Sequence, residues 1–245
     1  MICLLDKEIG FPDPKQGDED GLFAVGGDLS PERLLLAYSY GIFPWFPFRP
    51  EDACDALIDK ETGKPYIQWW CPMQRFVIFP NEIHISHSMK QEIKKVLKGE
   101  IHITKNTAFK KVMDNCGKMS CGQDRLALEG AWLSDDIKKA YTKLHEMGYA
   151  LSVEVWDKEN NLIGGLYGVT LGYGFYGESM FSLKPNASKI ALIFLAGYLD
   201  EQGCALIDWQ FETPQLKSMG GRYISYDEYL TLIHGNDEDE DNETK

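Results

Sequence analysis

The sequence predicts an α+β protein with a mainly antiparallel central sheet. Three observations lead there. The 245 residues are 44% apolar, enough to bury a sizeable core. Helix and strand patterns mix without the strict strand–helix–strand order of a doubly wound parallel sheet. Three strand patterns, at residues 149–156, 162–171 and 173–178, follow one another in the chain.

Taken in order, residues 1 to about 20 are polar and turn-rich. From Gly21 the stretch GLFAVGGDLSPERLLLAYSYGIFPWFPFRP offers a Gly-Gly turn, then Ser30 as an N-cap with Pro31 in the first helical position. Leu34, Leu35, Ala37 and Tyr38 form one apolar face of that helix, and Gly41 ends it. Residues 42–48 are aromatic and broken by proline, and the polar segment 51–64 reads as a surface loop. Strands are expected at 66–70 and 75–79. Ser88 with Gln91 reads as a capping box opening a helix whose Met89, Ile93, Val96 and Leu97 turn inward, while Lys90, Lys94 and Lys98 repeat outside. A second short helix is expected at 107–116. Ser134 caps the next, Asp135 and Asp136 suit its positive end, and Gly148 stops it. After the three strands, Pro185-Asn186 launches a helix at 187–199, residues 205–210 form a buried strand, and Ser225 with Glu228 caps a last short helix.

The net charge of −13 is unevenly spread. Residues 236–245, NDEDEDNETK, form an acidic tail expected to be disordered, whereas residues 84–118 hold eight lysines against three acids. A basic segment inside an acidic protein points to a polyanionic partner. Six cysteines lie scattered without a CxxC pair, and the first residues lack the basic and apolar regions of a signal peptide, so reduced thiols and a cytoplasmic location are expected. No window approaches eighteen consecutive apolar residues, which removes a membrane-spanning helix from the expectations.

Gly172 to Gly177, GYGFYG, matches the dinucleotide pattern G-x-G-x-x-G in letters. Its context does not fit, because Glu178-Ser179-Met180 follow where the phosphate-binding helix should open. His84 and His87 lack further ligands at metal-site spacing, and no G-x-S-x-G elbow is present. More informative is ALIDWQ: Asp208 and Gln210, two residues apart on a buried strand, should share a face, where each needs a partner. Glu178 adds a third polar group near the end of another strand. Trp45, Trp69, Trp70 and Trp132, beside a lysine-rich helix, suit stacking on a single-stranded nucleic-acid end.

The strings GLFAVGGDLSPERLLLAYSYGIFPWF, QWWCPMQR, LHEMGYALSVEVW, LIGGLYGV, GESMFS, NASKIAL and LIDWQ, in this order from about Phe11 to Leu230, resemble the leucyl/phenylalanyl-tRNA–protein transferases. The resemblance implies transfer of Leu or Phe, less well Met, from aminoacyl-tRNA to the α-amine of proteins with N-terminal Arg or Lys, feeding N-end rule degradation. It implies no metal or organic cofactor. It also implies a small N-terminal domain, placed at 1–82, and a larger domain similar to the GNAT acyltransferases at 83–235, in a monomer. Residue by residue, Glu178, Asp208 and Gln210 match the catalytic centre. Trp45 and Trp132 match contacts to the terminal adenosine, with Tyr141 near that site. Leu166, Met180, Leu192, Leu195 and Ile207 match the lining of the Leu or Phe pocket, with Gly177 leaving room. His87, Lys90, Lys94 and Lys95 fall on the helix for the acceptor stem. Gln215 and Tyr226 depart from the family pattern, as does His87 where arginine is frequent. A non-catalytic binder of tRNA or basic N-termini and an acyl-CoA-dependent acyltransferase are the alternatives.

Overall fold

The structure, a computed structural model, describes residues 2–45, 59, 63, 65–120 and 135–235, the side chains of 119 and 120 excepted. The strands of the first half are β1 (Cys3–Leu5), β2 (Leu22–Gly26), β3 (Phe43–Trp45), β4 (Gln68–Trp70), β5 (Gln74–Ile78) and β6 (Ile101–Lys105). Between and after them lie helices α1 (Pro31–Ser39), α2 (His87–Leu97), α3 (Phe109–Ser120) and α4 (Asp135–Glu146). The second half supplies β7 (Ala150–Asp157), β8 (Leu162–Leu171), β9 (Gly174–Ser182), β10 (Leu206–Asp208) and β11 (Arg222–Ser225), with α5 (Ala187–Glu201), α6 (Pro214–Ser218) and α7 (Tyr226–His234).

The chain divides into two compact units, and neither is continuous. One comprises Met1–Met73 and Phe109–Ala150; the other comprises Gln74–Ala108 and Leu151–Lys245. This departs from the linear division at residue 82. Strand β5 leaves the N-terminal segment because its backbone is taken up by β10 and β11, on both of which it pairs antiparallel.

In the first unit a four-stranded sheet runs in the order β1-β2-β4-β3. Ser30 caps α1 as expected, accepting from the Arg33 N–H, with Pro31 at the first turn. Gly41 follows it with φ 67°, a conformation that costs glycine little. The segment 51–64 falls mostly outside the described residues, as do Ser134 and the acidic tail.

A seven-stranded sheet of order β11-β5-β10-β9-β8-β7-β6 forms the frame of the second unit. It is mixed: β10 runs parallel to β9, while β5, β11, β8 and β6 each make antiparallel pairs. The expected mainly antiparallel sheet gives way to this because the long connection through α5 returns the chain beside β9 in the same direction. Helix α5 is apolar around most of its circumference, and Ile190, Ala191, Leu192, Leu195, Ala196 and Leu199 join the sheet's inner face in one core. Gly164 makes this approach close, since a Cβ there would sit 2.4 Å from the Ala187 Cβ.

Helix α2 begins two residues earlier than the Ser88/Gln91 box predicts. Ser86 is the cap, its Oγ accepting from the Met89 N–H, and Ser88 instead shares a 3.0 Å hydrogen bond with it. Met89 is buried and Ile93 and Val96 are half-buried, but Leu97 is 83% exposed. Positions 89, 93 and 96 keep the 3.6-residue period, and Leu97 falls a step beyond the stripe. Ser225 caps α7 as expected, accepting from the Glu228 N–H.

Candidate active site

Asp208 ends β10, opposite Tyr176 of β9. Its side chain is fully buried, so its charge needs partners, and both oxygens have them. Oδ2 forms an ion pair with the Arg75 guanidinium of β5 and accepts the Tyr229 hydroxyl of α7 at 2.9 Å. Oδ1 accepts the backbone N–H of Gln210 at 2.8 Å. The guanidinium also lies 4.7 Å over the Tyr229 ring. Burial, then the nearby Asp208 charge, pushes the phenols of Tyr229 and Tyr176 well above the usual tyrosine range, so both stay neutral and able to donate.

Gln210 does not share a strand face with Asp208. The strand stops at Asp208, and Gln210 turns into the left-handed region with φ 61°. Contact with Asp208 is therefore through the Gln210 backbone N–H rather than its side-chain amide. The backbone is held by β5 as well: the Phe76 carbonyl accepts the Trp209 N–H at 3.0 Å, and the Phe76 N–H reaches the Gln210 carbonyl at 3.4 Å. With its amide nitrogen turned to the two nearby carbonyls, Gln210 donates to Gly177 at 3.2 Å and to Trp209 at 2.8 Å.

Glu178 is half-buried in β9. The β8–β9 register pairs Tyr167 with Ser179 and Gly168 with Gly177, which leaves Glu178 as the extra residue of a bulge. Such bulges re-aim a side chain out of the regular alternation. Beside it, Gly177 supplies clearance, though to a neighbouring ring rather than to open space. A Cβ at Gly177 would lie 2.6 Å from the Trp209 indole. Gly177→Ala is expected to cost about 1 to 3 kcal/mol of stability, and Trp209→Leu should return part of it; denaturant melts of the single and double variants check both.

The side chains expected to line an amino-acid pocket are mostly core. Leu166, Leu192, Leu195 and Ile207 have no exposed surface and belong to one apolar cluster, against which the half-buried Met180 packs. Met180 stands opposite Leu166 across the β8–β9 pair, and the Gln215 amide donates to its sulfur at 3.1 Å and to the Ser188 hydroxyl at 3.3 Å.

Other predicted residues lie elsewhere. Trp45 and Tyr141 belong to the first unit, where the Trp45 ring meets Trp70 edge-on at 5.3 Å and the buried Tyr141 hydroxyl shares a 2.6 Å hydrogen bond with Tyr38. Trp132 lies outside the described residues. His87 is the first residue of α2, and it, Lys90, Lys94 and Lys95 are all exposed on that helix, with Lys95 2.7 Å from Glu92. Arg75, Tyr229 and Tyr176 had no sequence signal: their tie to Asp208 exists only through sheet pairing and the docking of α7.

These features can be set beside known proteins. The model of the leucyl/phenylalanyl-tRNA protein transferase family matches residues 77–234, and the model of that family's N-terminal domain matches 27–53. A leucyl/phenylalanyl-tRNA–protein transferase of Syntrophus aciditrophicus is 46% identical over 232 residues, covering 95% of this chain and 87% of the relative. One from Flavobacterium psychrophilum is 43% identical over 230 residues, covering 94% and 98%. Among solved structures, FemX is similar at TM-score 0.43 and 11% identity, covering 83% of this chain and 71% of that one; this is too remote to bear on function. The sequence matches define an enzyme of the acyltransferase class. Within it, the chain belongs to the leucyl/phenylalanyl-tRNA–protein transferase family.

Proposed function

We propose that this enzyme moves Leu or Phe, and less well Met, from aminoacyl-tRNA to the α-amine of proteins that begin with Arg or Lys. The products enter N-end rule degradation, and the enzyme works as a cytoplasmic monomer with a GNAT-like catalytic domain. The observation that carries the reading is the tethered Gln210 amide, within hydrogen-bonding distance of the strand that bulges at Glu178.

The donor ester is already activated, so the task is to hold an amine against a carbonyl. An α-amine titrates near 7.7 to 8.0, which leaves roughly a tenth neutral at pH 7, and only modest help with the proton is required. The amine nitrogen attacks the ester carbon and the new C–N bond forms. The bond to the ribose oxygen then breaks, and the amine's proton passes to that oxygen. With its nitrogen engaged by two carbonyls, Gln210 turns its amide oxygen to the other side, where it accepts from the attacking amine. Glu178 orients the donor or the cationic N-terminal residue. Met180, half-buried at the edge of the core, adapts to Leu or Phe. Trp45, Trp132 and Tyr141 serve the terminal adenosine.

The test mixes the protein with radiolabelled Leu-tRNA and a protein beginning with Arg. Label in the protein precipitate is expected, and its absence with an active tRNA preparation would leave a binding module instead. The α2 lysines give an independent check. Lys90→Ala with Lys94→Ala should weaken aminoacyl-tRNA binding and reduce the slope of log affinity against log salt by about 1 to 2, with kcat at saturating tRNA retained.

A further inference from the structure

We propose that Arg75 and Tyr229 are positioning residues that act on the reaction through Gln210, by fixing Asp208. The inference deepens the reading given above and rests on Gln210 being the group that meets the amine.

Left-handed backbone is disfavoured for a residue that carries a Cβ, and it persists where the surroundings over-determine it. At Gln210, with φ 61°, the determinants can be named. Its N–H is fixed by Asp208 Oδ1 at 2.8 Å, and its carbonyl by the Phe76 N–H at 3.4 Å. A carboxylate imposes that geometry only if it cannot rotate. Asp208 Oδ2 is caught by two donors from different elements, the Arg75 guanidinium on β5 and the Tyr229 hydroxyl on α7. Arg75, Asp208 and Tyr229 are all inaccessible to solvent, so water does not compete for these bonds. The consequence is a short chain of constraint: α7 and β5 fix the carboxylate, the carboxylate fixes the N–H of Gln210, and the amide is thereby aimed. Tyr229 is well suited to this, because its buried hydroxyl stays protonated and always offers a donor. Neither Arg75 nor Tyr229 needs to touch the substrate.

Tyr229→Phe is the decisive variant, since it deletes one donor and leaves the ring under Arg75. Its kcat for transfer from Leu-tRNA should fall about tenfold with the KM for Leu-tRNA within twofold, measured at a temperature where melts show the variant folded. A merely structural tyrosine can imitate that single result, so the comparison is repeated with Gln210→Ala. If Tyr229 acts through Gln210, the second substitution removes what the hydroxyl aims, and Tyr229→Phe should then change the residual rate less than twofold. An equal loss in both backgrounds, or no loss in the native background, would overturn the proposal. An undiminished rate for Gln210→Ala alone would overturn the Gln210 reading itself and the proposal with it, and that outcome is read from a different variant.

Discussion

Gln210→Ala is expected to lower kcat by about a hundredfold or more while leaving the affinity for aminoacyl-tRNA unchanged. The magnitude follows from the nature of the step. With an activated ester and a partly neutral amine, the rate depends on alignment, and a misplacement near 1 Å costs on the order of a hundredfold. In the proposed mechanism Gln210 sets that alignment: its backbone is fixed by Asp208 and Phe76, and its amide nitrogen, turned toward them, by the carbonyls of Gly177 and Trp209. Alanine keeps the backbone contacts and removes the amide. Binding of tRNA is assigned to other groups, those on α2 and the aromatic residues, so KM for the donor should stay put. Single-turnover transfer of labelled Leu, run beside a filter-binding measurement, separates the two. A rate within twofold of the native enzyme would refute the assignment.

Asp208→Ala should be costlier still for the fold. It removes the carboxylate that pairs with the fully buried Arg75 guanidinium and accepts the Tyr229 hydroxyl. Removing one partner of a buried ion pair costs about 3 to 5 kcal/mol, which in a chain of this size lowers Tm by roughly 6 to 20 °C. Asp208→Asn should fall between the two, because it keeps an acceptor oxygen and loses the charge. Thermal melts followed by circular dichroism give the order directly. If the alanine variant melts within 2 °C of the native protein, the network does not hold this part of the sheet.

Much of the frame was legible in the chain. The Ser30-Pro31 and Ser225/Glu228 signals gave two helix starts correctly, and the strand at 162–171 carries the predicted bounds. At the candidate centre the geometry differs from the sequence expectation. The ALIDWQ pattern predicts one continuous strand with Asp208 and Gln210 on a common face. The strand ends two residues sooner, because Asp208 turns its carboxylate onto the Gln210 N–H and caps the strand with a left-handed residue. The family resemblance implies that Gly177 leaves room for a bound side chain, whereas a Cβ there would meet the Trp209 ring. The glycine signal was real; what fills the space beside a glycine is decided by a residue elsewhere in the chain.

By itself the sequence determined the caps of α1 and α7, the inward positions Met89, Ile93 and Val96 of α2, the apolar character of α5 and the motifs that place the chain in its family. All of these are local in the chain, set by a period of 3.6 or 2 or by a few adjacent residues. Only the tertiary structure decided that β5 joins the seven-stranded sheet, that β10 lies parallel to β9, and that Arg75 and Tyr229 converge on one carboxylate. Arg75 and Tyr229 stand 133 and 21 residues from Asp208 along the chain. A contact across such separations has no local periodicity to announce it. It exists because a buried charge must be neutralised and hydrogen-bonded wherever the sheet pairing happens to bring it.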